Sequence, residues 1–491
     1  MTSFLIVSPV LLPLLTAAFT GLFLSQPALQ RTVSLAGAFA SLCCAVALVW
    51  LAARGVQLQM VFGMWDLPYG IGFRIDRLGS AMLLISSILA FVCLVFLASD
   101  ADPGAAATRQ LPLIHGLMVG VGGAYATADL FNMYVWFEVM LVCSVGLLGA
   151  GGKPHQLDGA LKYMTLNMLA TLLLLVGVVM VYGLTGHLSF DGIRAAWPQV
   201  NPAVGGPVLA LLCLALLAKA GAFPFFGWLP PSYPTLPAPT LALFAGLLTK
   251  VGTYVVLRVL GDVFVLAVPG WLNEALGWIA CLTMFTGVLA AAYHWDMRRI
   301  LALHIISQIG YILLAIALGS KQGLAAALFF IIHNILAKSN LFLIAAMVAK
   351  RTGSYDLRRI GGLYAVHPVL ALLFGISALS LVGIPPFTGF WAKLLVLQAT
   401  HAQARPVWLG MALLVSLLTM YSMIKIWMEA FWKPHPQADA TRPLQLLPAG
   451  NMAPAWIASL GLTALLVFVA VYPQALIGFA NAAAQTLGGT P

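Results

Sequence analysis

Apolar residues run through this chain in long stretches, and polar residues gather in the short gaps between them. A membrane-spanning helix needs about 20 mainly apolar residues. On that length the pattern predicts fourteen helices, over 3–24, 31–53, 73–98, 109–127, 129–150, 161–184, 206–229, 238–260, 271–293, 299–318, 322–349, 369–400, 406–431 and 453–475. The longest gaps, 54–72, 185–205 and 432–452, are too short to hold a soluble domain. The predicted fold class is an all-α polytopic membrane protein. The opening stretch MTSFLIVSPVLLPLLTAAF has no basic leading segment, so it reads as the first membrane helix and not as a cleaved signal.

Two helices break the pattern. The seventh is cut at Pro224, turns through the proline-rich connector 230–239, and leads into the eighth. The twelfth is cut at Pro385 and Pro386. Laid over each other, GAFPFFGWL and GIPPFTGFW match at Gly221/Gly383, Pro224/Pro386, Phe225/Phe387 and Gly227/Gly389. The two breaks lie five helices apart. An odd offset makes the two copies cross the membrane in opposite directions, as in an inverted-topology repeat, where paired broken helices point to the ion site. The expected division is a three-helix segment (1–108), a first five-helix repeat of helices four to eight (109–260), a second of helices nine to thirteen (261–431), and a loop with helix fourteen (432–491).

Composition agrees. Of 491 residues, 62% are hydrophobic and 8% charged, where a soluble protein carries about a quarter charged. The net charge of +10 resides mostly in loops, which points to topology and anionic lipid and away from nucleic acid. Loops after odd-numbered helices with their flanks, from Arg31 to Lys433 and Arg442, hold 12 Lys and Arg against 7 after even-numbered ones. The odd loops are therefore expected on the cytoplasmic side and both termini outside. The six cysteines lie in apolar segments without metal-ligand spacing, so no disulfide framework or metal site is expected. No phosphate-binding loop, dinucleotide fingerprint or haem motif is present, and no cofactor is expected. Energy must come from an ion gradient or another subunit.

The candidate chemistry lies in the few charges left inside helices: Glu138, Lys219, Lys250, Lys338, Lys393 and Lys425. A charge at the centre of a membrane helix costs about 2.5–3.5 kcal/mol on insertion scales, so such residues mark ion or proton pathways by default. Desolvation and a nearby carboxylate act in opposite senses on a lysine's proton affinity, and a lysine between them can exchange a proton near neutral pH. Glu138 is expected to pair with a buried lysine, Lys219 first; the bland alternative is a structural ion pair. Lys219 and Lys250 lie about ten residues from the predicted helix ends, far for snorkelling. Lys393 follows the second break, as Lys219 precedes the first. On helix eleven, His333 and Lys338 fall on different faces; His333 suits proton relay or is a satisfied core residue. Lys425 lies near a helix end and is expected to snorkel. His304, Ser307, Gln308 and Tyr311 form a polar stripe that could admit water or bind neighbouring helices. Asp129 is expected to cap helix five, and Asp76, between Arg74 and Arg77, to sit at the interface.

These residues carry a resemblance. Two five-helix units with Glu in helix five and Lys in seven, eight and twelve resemble the antiporter-like subunits shared by respiratory complex I, membrane-bound hydrogenases and Mrp-type cation/proton antiporters. YGIGFRIDRLGSAMLL, FPFFGWLPPSYPTLPAPTLALFAGLLTKVGTYVVLR and GIPPFTGFWAKLLVLQA are most similar to the D-type subunit of the Mrp group. The helix-seven turn reads WLPPSYP where complex I counterparts read like WLPDAH, and no long lateral helix follows helix fourteen. Small departures, PPSYP in that turn and Gly79 where Ser is common, touch no titratable position. The resemblance implies a subunit of a multisubunit Na+ (or other monovalent cation)/H+ antiporter in a bacterial cell membrane, a secondary transporter and not an enzyme. It implies other Mrp-type subunits as partners and proton transfer along Lys219, Lys250, His333 with Lys338, and Lys393, with Glu138 as carboxylate. A single deep carboxylate is thin for a dehydrated sodium site, so protons are expected here and the cation elsewhere. The alternatives are a proton-pumping subunit of a redox complex and a scaffold without transport of its own.

Overall fold

The computed structural model describes residues 2–63, 65, 70–99, 105–265, 268–435, 447 and 451–487; Arg442 lies outside them. Among the described residues, twelve helical stretches are long and apolar enough to cross a membrane. Ala105–Ala126 and the two halves Pro368–Val382 and Thr388–Ala402 complete the predicted set. Helices eight (Ala238–Arg258), ten (Met297–Ala317) and eleven (Lys321–Thr352) are the innermost, their apolar windows wholly buried by the others. Polar residues on these helices therefore face protein, whichever way they point. On the peripheral helices apolar side chains such as Leu172, Val179 and Leu417 are exposed, as expected of lipid-facing surface.

Both breaks are built alike. The first half of helix seven, Pro202–Ala220, ends at Gly221 in the left-handed conformation (φ 75°), and the Phe223–Pro224 peptide is cis. A 3-10 turn, Phe225–Trp228, and a short helix, Leu229–Ser232, follow. The first half of helix twelve ends at Gly383 (φ 90°), the Pro385–Pro386 peptide is cis, and the second half starts at Thr388. Glycine adopts the left-handed turn without steric cost, and proline lacks the amide that would continue the helix. Lys219 therefore lies one residue from the end of its half-helix, and not about ten residues from a helix end as the span 206–229 predicts. Helix eight approaches this break closely because residue 252 is glycine: a Cβ there would meet the Ala220 Cα at 2.8 Å.

The end bearing the even-numbered loops holds structure that hydropathy did not reveal. Leu58–Phe62 and Ile71–Ile75 form an antiparallel hairpin, with Leu58 opposite Ile75. A short helix, Phe190–Ala196, lies in the 185–205 gap. After helix fourteen (Ala453–Val471) the chain turns into a further helix, Pro473–Thr486. Arginines and aspartates tie these pieces to helix eight. Arg258 donates to Asp76 at 2.6 and 2.8 Å and to Asp262 at 3.1 Å. Arg74 donates to Asp262 at 2.5 Å and to Asp191 at 3.0 Å, and Arg194 binds both Asp262 and Asp191. Asp76 thus pairs with distant Arg258, not with its sequence neighbours, and it also caps helix three through the Gly79 amide at 2.8 Å. Burial alone would raise the Asp76 carboxyl, but the Arg258 guanidinium overrides it and holds the group at about 2.

Candidate functional site

Helix five begins where expected: Asp129 caps it, accepting from the Asn132 amide at 2.7 Å. Glu138, nine residues on, is half-buried, and its charge reaches Lys219. The expected contact pair does not form. Among the described residues no carboxylate lies within 4.0 Å of the Lys219 ammonium. Lys219 instead donates to the Thr171 hydroxyl of helix six and stands 5.3 Å from the Phe137 ring centre. A cavity of about 20 Å³ adjoins it, lined by Tyr163, Asn167 and Trp228 among others. That volume holds one water-sized molecule between polar groups. Thr171 carries no charge and so drew no notice in the sequence, yet a signal existed: Tyr163, Asn167 and Thr171 recur every four residues and form one stripe along helix six.

Lys250 is fully buried on helix eight and donates to its own helix, to the Ala245 carbonyl at 2.7 Å. Lys338 of helix eleven, also fully buried, is close enough to Lys250 for the two charges to interact; it donates to the Leu301 carbonyl of helix ten at 3.1 Å. His304, one turn further along helix ten, feels both Lys338 and Lys393. His333 faces the second break, its Nδ1 2.9 Å from the Thr388 hydroxyl, which in turn lies 2.5 Å from Ser380. His333 and Lys338 accordingly point to different neighbours, as their spacing predicts. Lys393 closes the row. Its ammonium donates to the Val382 carbonyl at 2.6 Å and to Ser416 at 2.9 Å, and stands 5.1 Å from the Tyr311 ring. Val382 is the last residue of the first half of helix twelve, so the cation sits on the negative end of that half-helix.

Several polar atoms on helices ten and eleven are unsatisfied. Both ring nitrogens of His304, the Ser307 hydroxyl, both side-chain amide atoms of Gln308 and of Asn334, and His333 Nε2 are buried without a protein partner. Buried polar groups are nearly always hydrogen-bonded, to protein or to ordered water. Groups of this kind are the ones that bind ordered water. Asn340, six residues beyond Asn334, is the opposite case. Its amide donates to Ser377 at 2.9 Å and Thr463 at 2.8 Å and accepts from Ser459 at 2.8 Å. It fastens helices eleven, twelve and fourteen together.

Lys425 stands apart. Partly exposed near its helix end, it bonds the Ala292 and His294 carbonyls at 3.1 and 2.8 Å, at the end of helix nine. The structure thus buries Lys219, Lys250, Lys338, His333 and Lys393, sets Lys338 near Lys250 and His304 near both Lys338 and Lys393, leaves Glu138 half-buried, and adds Thr171, Thr388 and Ser416 as partners.

Known proteins resemble the chain over most of its length. The D-type subunit of a Na(+)/H(+) antiporter from Alkalihalophilus pseudofirmus is 38% identical over 432 residues, covering 87% of each chain. The Bacillus subtilis protein of the same name is 34% identical over 431 residues, again covering 87% of each. A chain in the structure of the Mrp complex from a Dietzia species superposes with a TM-score of 0.89 at 31% identity, over 99% of this chain and 97% of that one. The family described as NADH:quinone oxidoreductase/Mrp antiporter, transmembrane, matches residues 127–419. With that match and those relatives, the chain belongs to the NADH:quinone oxidoreductase/Mrp antiporter transmembrane family.

Proposed function

We propose that this chain is the proton-translocating subunit of a multisubunit Na+/H+ antiporter and works with other Mrp-type subunits. The observation that carries this reading is the row of buried lysines whose hydrogen bonds go to carbonyls and hydroxyls, joined by polar atoms without protein partners. Lysine can give up its proton, and arginine cannot. Protons enter near Glu138 and Lys219, pass Lys250 to Lys338, and reach Lys393 by His304 and His333. The units 109–260 and 261–431 each contribute one broken helix and its lysine to the route. Similarity to Na(+)/H(+) antiporter subunits favours an antiporter over a redox complex, and the cation crosses in a partner subunit. The chain resides in a bacterial cell membrane with both termini outside.

The test is Lys250→Ala in the assembled complex, reconstituted into vesicles. Na+-driven proton movement is expected to fall to background while subunit composition stays unchanged. Undiminished exchange by that assembled variant overturns the reading. A reporter fused to the C-terminus and scored for outside accessibility checks the orientation.

A further inference from the structure

Two cavities at the even-loop end are stacked against the same three helices. The first is polar, about 280 Å³, and bordered by Gly55, Gln57, Gln59, Arg77 and Thr486 together with the arginine–aspartate cluster. The second is apolar, about 300 Å³, and bordered by Val49, Ala81, Leu84, Ile85, Phe468 and Phe479 among others. Helix two supplies Ala52 to the first and Val49 to the second. Helix three supplies Arg77 and, one turn deeper, Ala81. The helix Pro473–Thr486 supplies Thr486 and Phe479. A polar chamber above an apolar groove, shared by the same walls, has the shape of an amphiphile.

Charge selects which amphiphile. The cluster holds four guanidinium groups, Arg74, Arg77, Arg194 and Arg258, against three carboxylates, Asp76, Asp191 and Asp262. Arg74, Arg194 and Arg258 are each bound to carboxylates. Arg77 is not. It donates only to backbone carbonyls, Ala52 at 3.2 Å and Ala482 at 3.4 Å, and among the described residues no carboxylate lies within 4.0 Å of it. A half-exposed guanidinium lining a polar chamber, with one positive charge uncompensated among the described residues, suits a phosphate, which arginine binds through charge-assisted, often bidentate hydrogen bonds. The apolar groove below accommodates an acyl chain.

We propose that an anionic phospholipid is bound here, its phosphate on Arg77 and one acyl chain between helices two, three, eleven and fourteen. The lipid seals the gap that helix Pro473–Thr486 bridges, at the end of the molecule where helix eight is anchored. The site lies apart from the lysine row.

The test uses the assembled complex, stripped of lipid by detergent exchange and titrated with phosphatidylglycerol under native mass spectrometry. The wild type is expected to retain one tightly held molecule. Arg77→Ala is expected to weaken retention about tenfold or more, the loss of one charge-assisted contact, and Arg77→Lys much less. Leu84→Trp, which fills the groove and leaves Arg77 in place, is expected to weaken it too. Equal retention by all four proteins overturns the proposal. So does displacement of the lipid by inorganic phosphate alone, which makes the chamber an anion site without a role for the groove. Photo-crosslinking from position 84 to another protein of the complex overturns it as well, since protein then fills the groove.

Discussion

The central row and the end cluster both consist largely of buried charge, but they differ in residue type and in how far they are satisfied. The row is lysine and histidine; its donors reach carbonyls and hydroxyls, and several neighbouring polar atoms have no protein partner. The cluster is arginine and aspartate; Arg258 and Arg74 each bind two carboxylates. Arginine keeps its charge at any working pH, so a network of arginine and aspartate is a fixture. Lysine and histidine can change charge, and incomplete satisfaction leaves room for water and for movement. On the proposed function, one region of buried charge moves protons, while the other ties helix eight to the hairpin and the short helix Phe190–Ala196. The same contrast recurs within helix eleven, where Asn340 is fully bonded and Asn334 is not.

Three experiments put this contrast at risk. The largest effect is expected for Lys338→Met, which keeps the side chain's length and removes its proton. Exchange in reconstituted vesicles should fall at least ~100-fold, in line with the weight of central charges in membrane transport, while thermal stability stays the same or rises. Asp262→Ala should do the reverse. It strips carboxylate partners from three arginines, and removing one partner of a buried pair costs about 3–5 kcal/mol. The solubilised complex should unfold at markedly lower temperature, and whatever assembles should still exchange. If Asp262→Ala leaves the melting temperature untouched, the cluster is no fixture. The smallest effect is in acid. Asp76 is held at about 2 against 3.8 for a free carboxyl. A group with a depressed folded value stabilises the fold above its unfolded value and loses that contribution as pH falls through the folded one. About 2 kcal/mol should therefore vanish between pH 4 and pH 2, as seen in melting curves, and Asp76→Asn should flatten that drop.

Much of the molecule is legible in its sequence, and for definite reasons. Membrane helices declare themselves by length and composition alone. Charged residues in such helices are so few that Lys219, Lys250, Lys338 and Lys393 stand out without any knowledge of their neighbours. The glycine-then-proline order at 221–224 and 383–386 locates both breaks for the same reason: those residues constrain the backbone by themselves. What escapes is pairing. Arg74 and Asp262 are 188 positions apart, Arg258 and Asp76 are 182, and nothing local indicates that they meet. Glu138 and Lys219 are expected to touch because opposite charges in a membrane seek each other, but Thr171 takes the contact. The hairpin at 58–75 and the helix Pro473–Thr486 are short and half-polar, and a search for long apolar runs passes over such pieces.

One bond has a mechanical reading. Lys393 holds the Val382 carbonyl at the very edge of a broken helix, so the proton on that nitrogen and the spacing between the two halves of helix twelve are joined in one contact. Linked quantities bias each other equally in both directions. Whatever draws the halves apart must change how firmly Lys393 keeps its proton, and each proton that arrives or leaves must pull on the helix. The broken helix is then a transducer, through which a distant partner could sense the charge of this chain by feeling it bend.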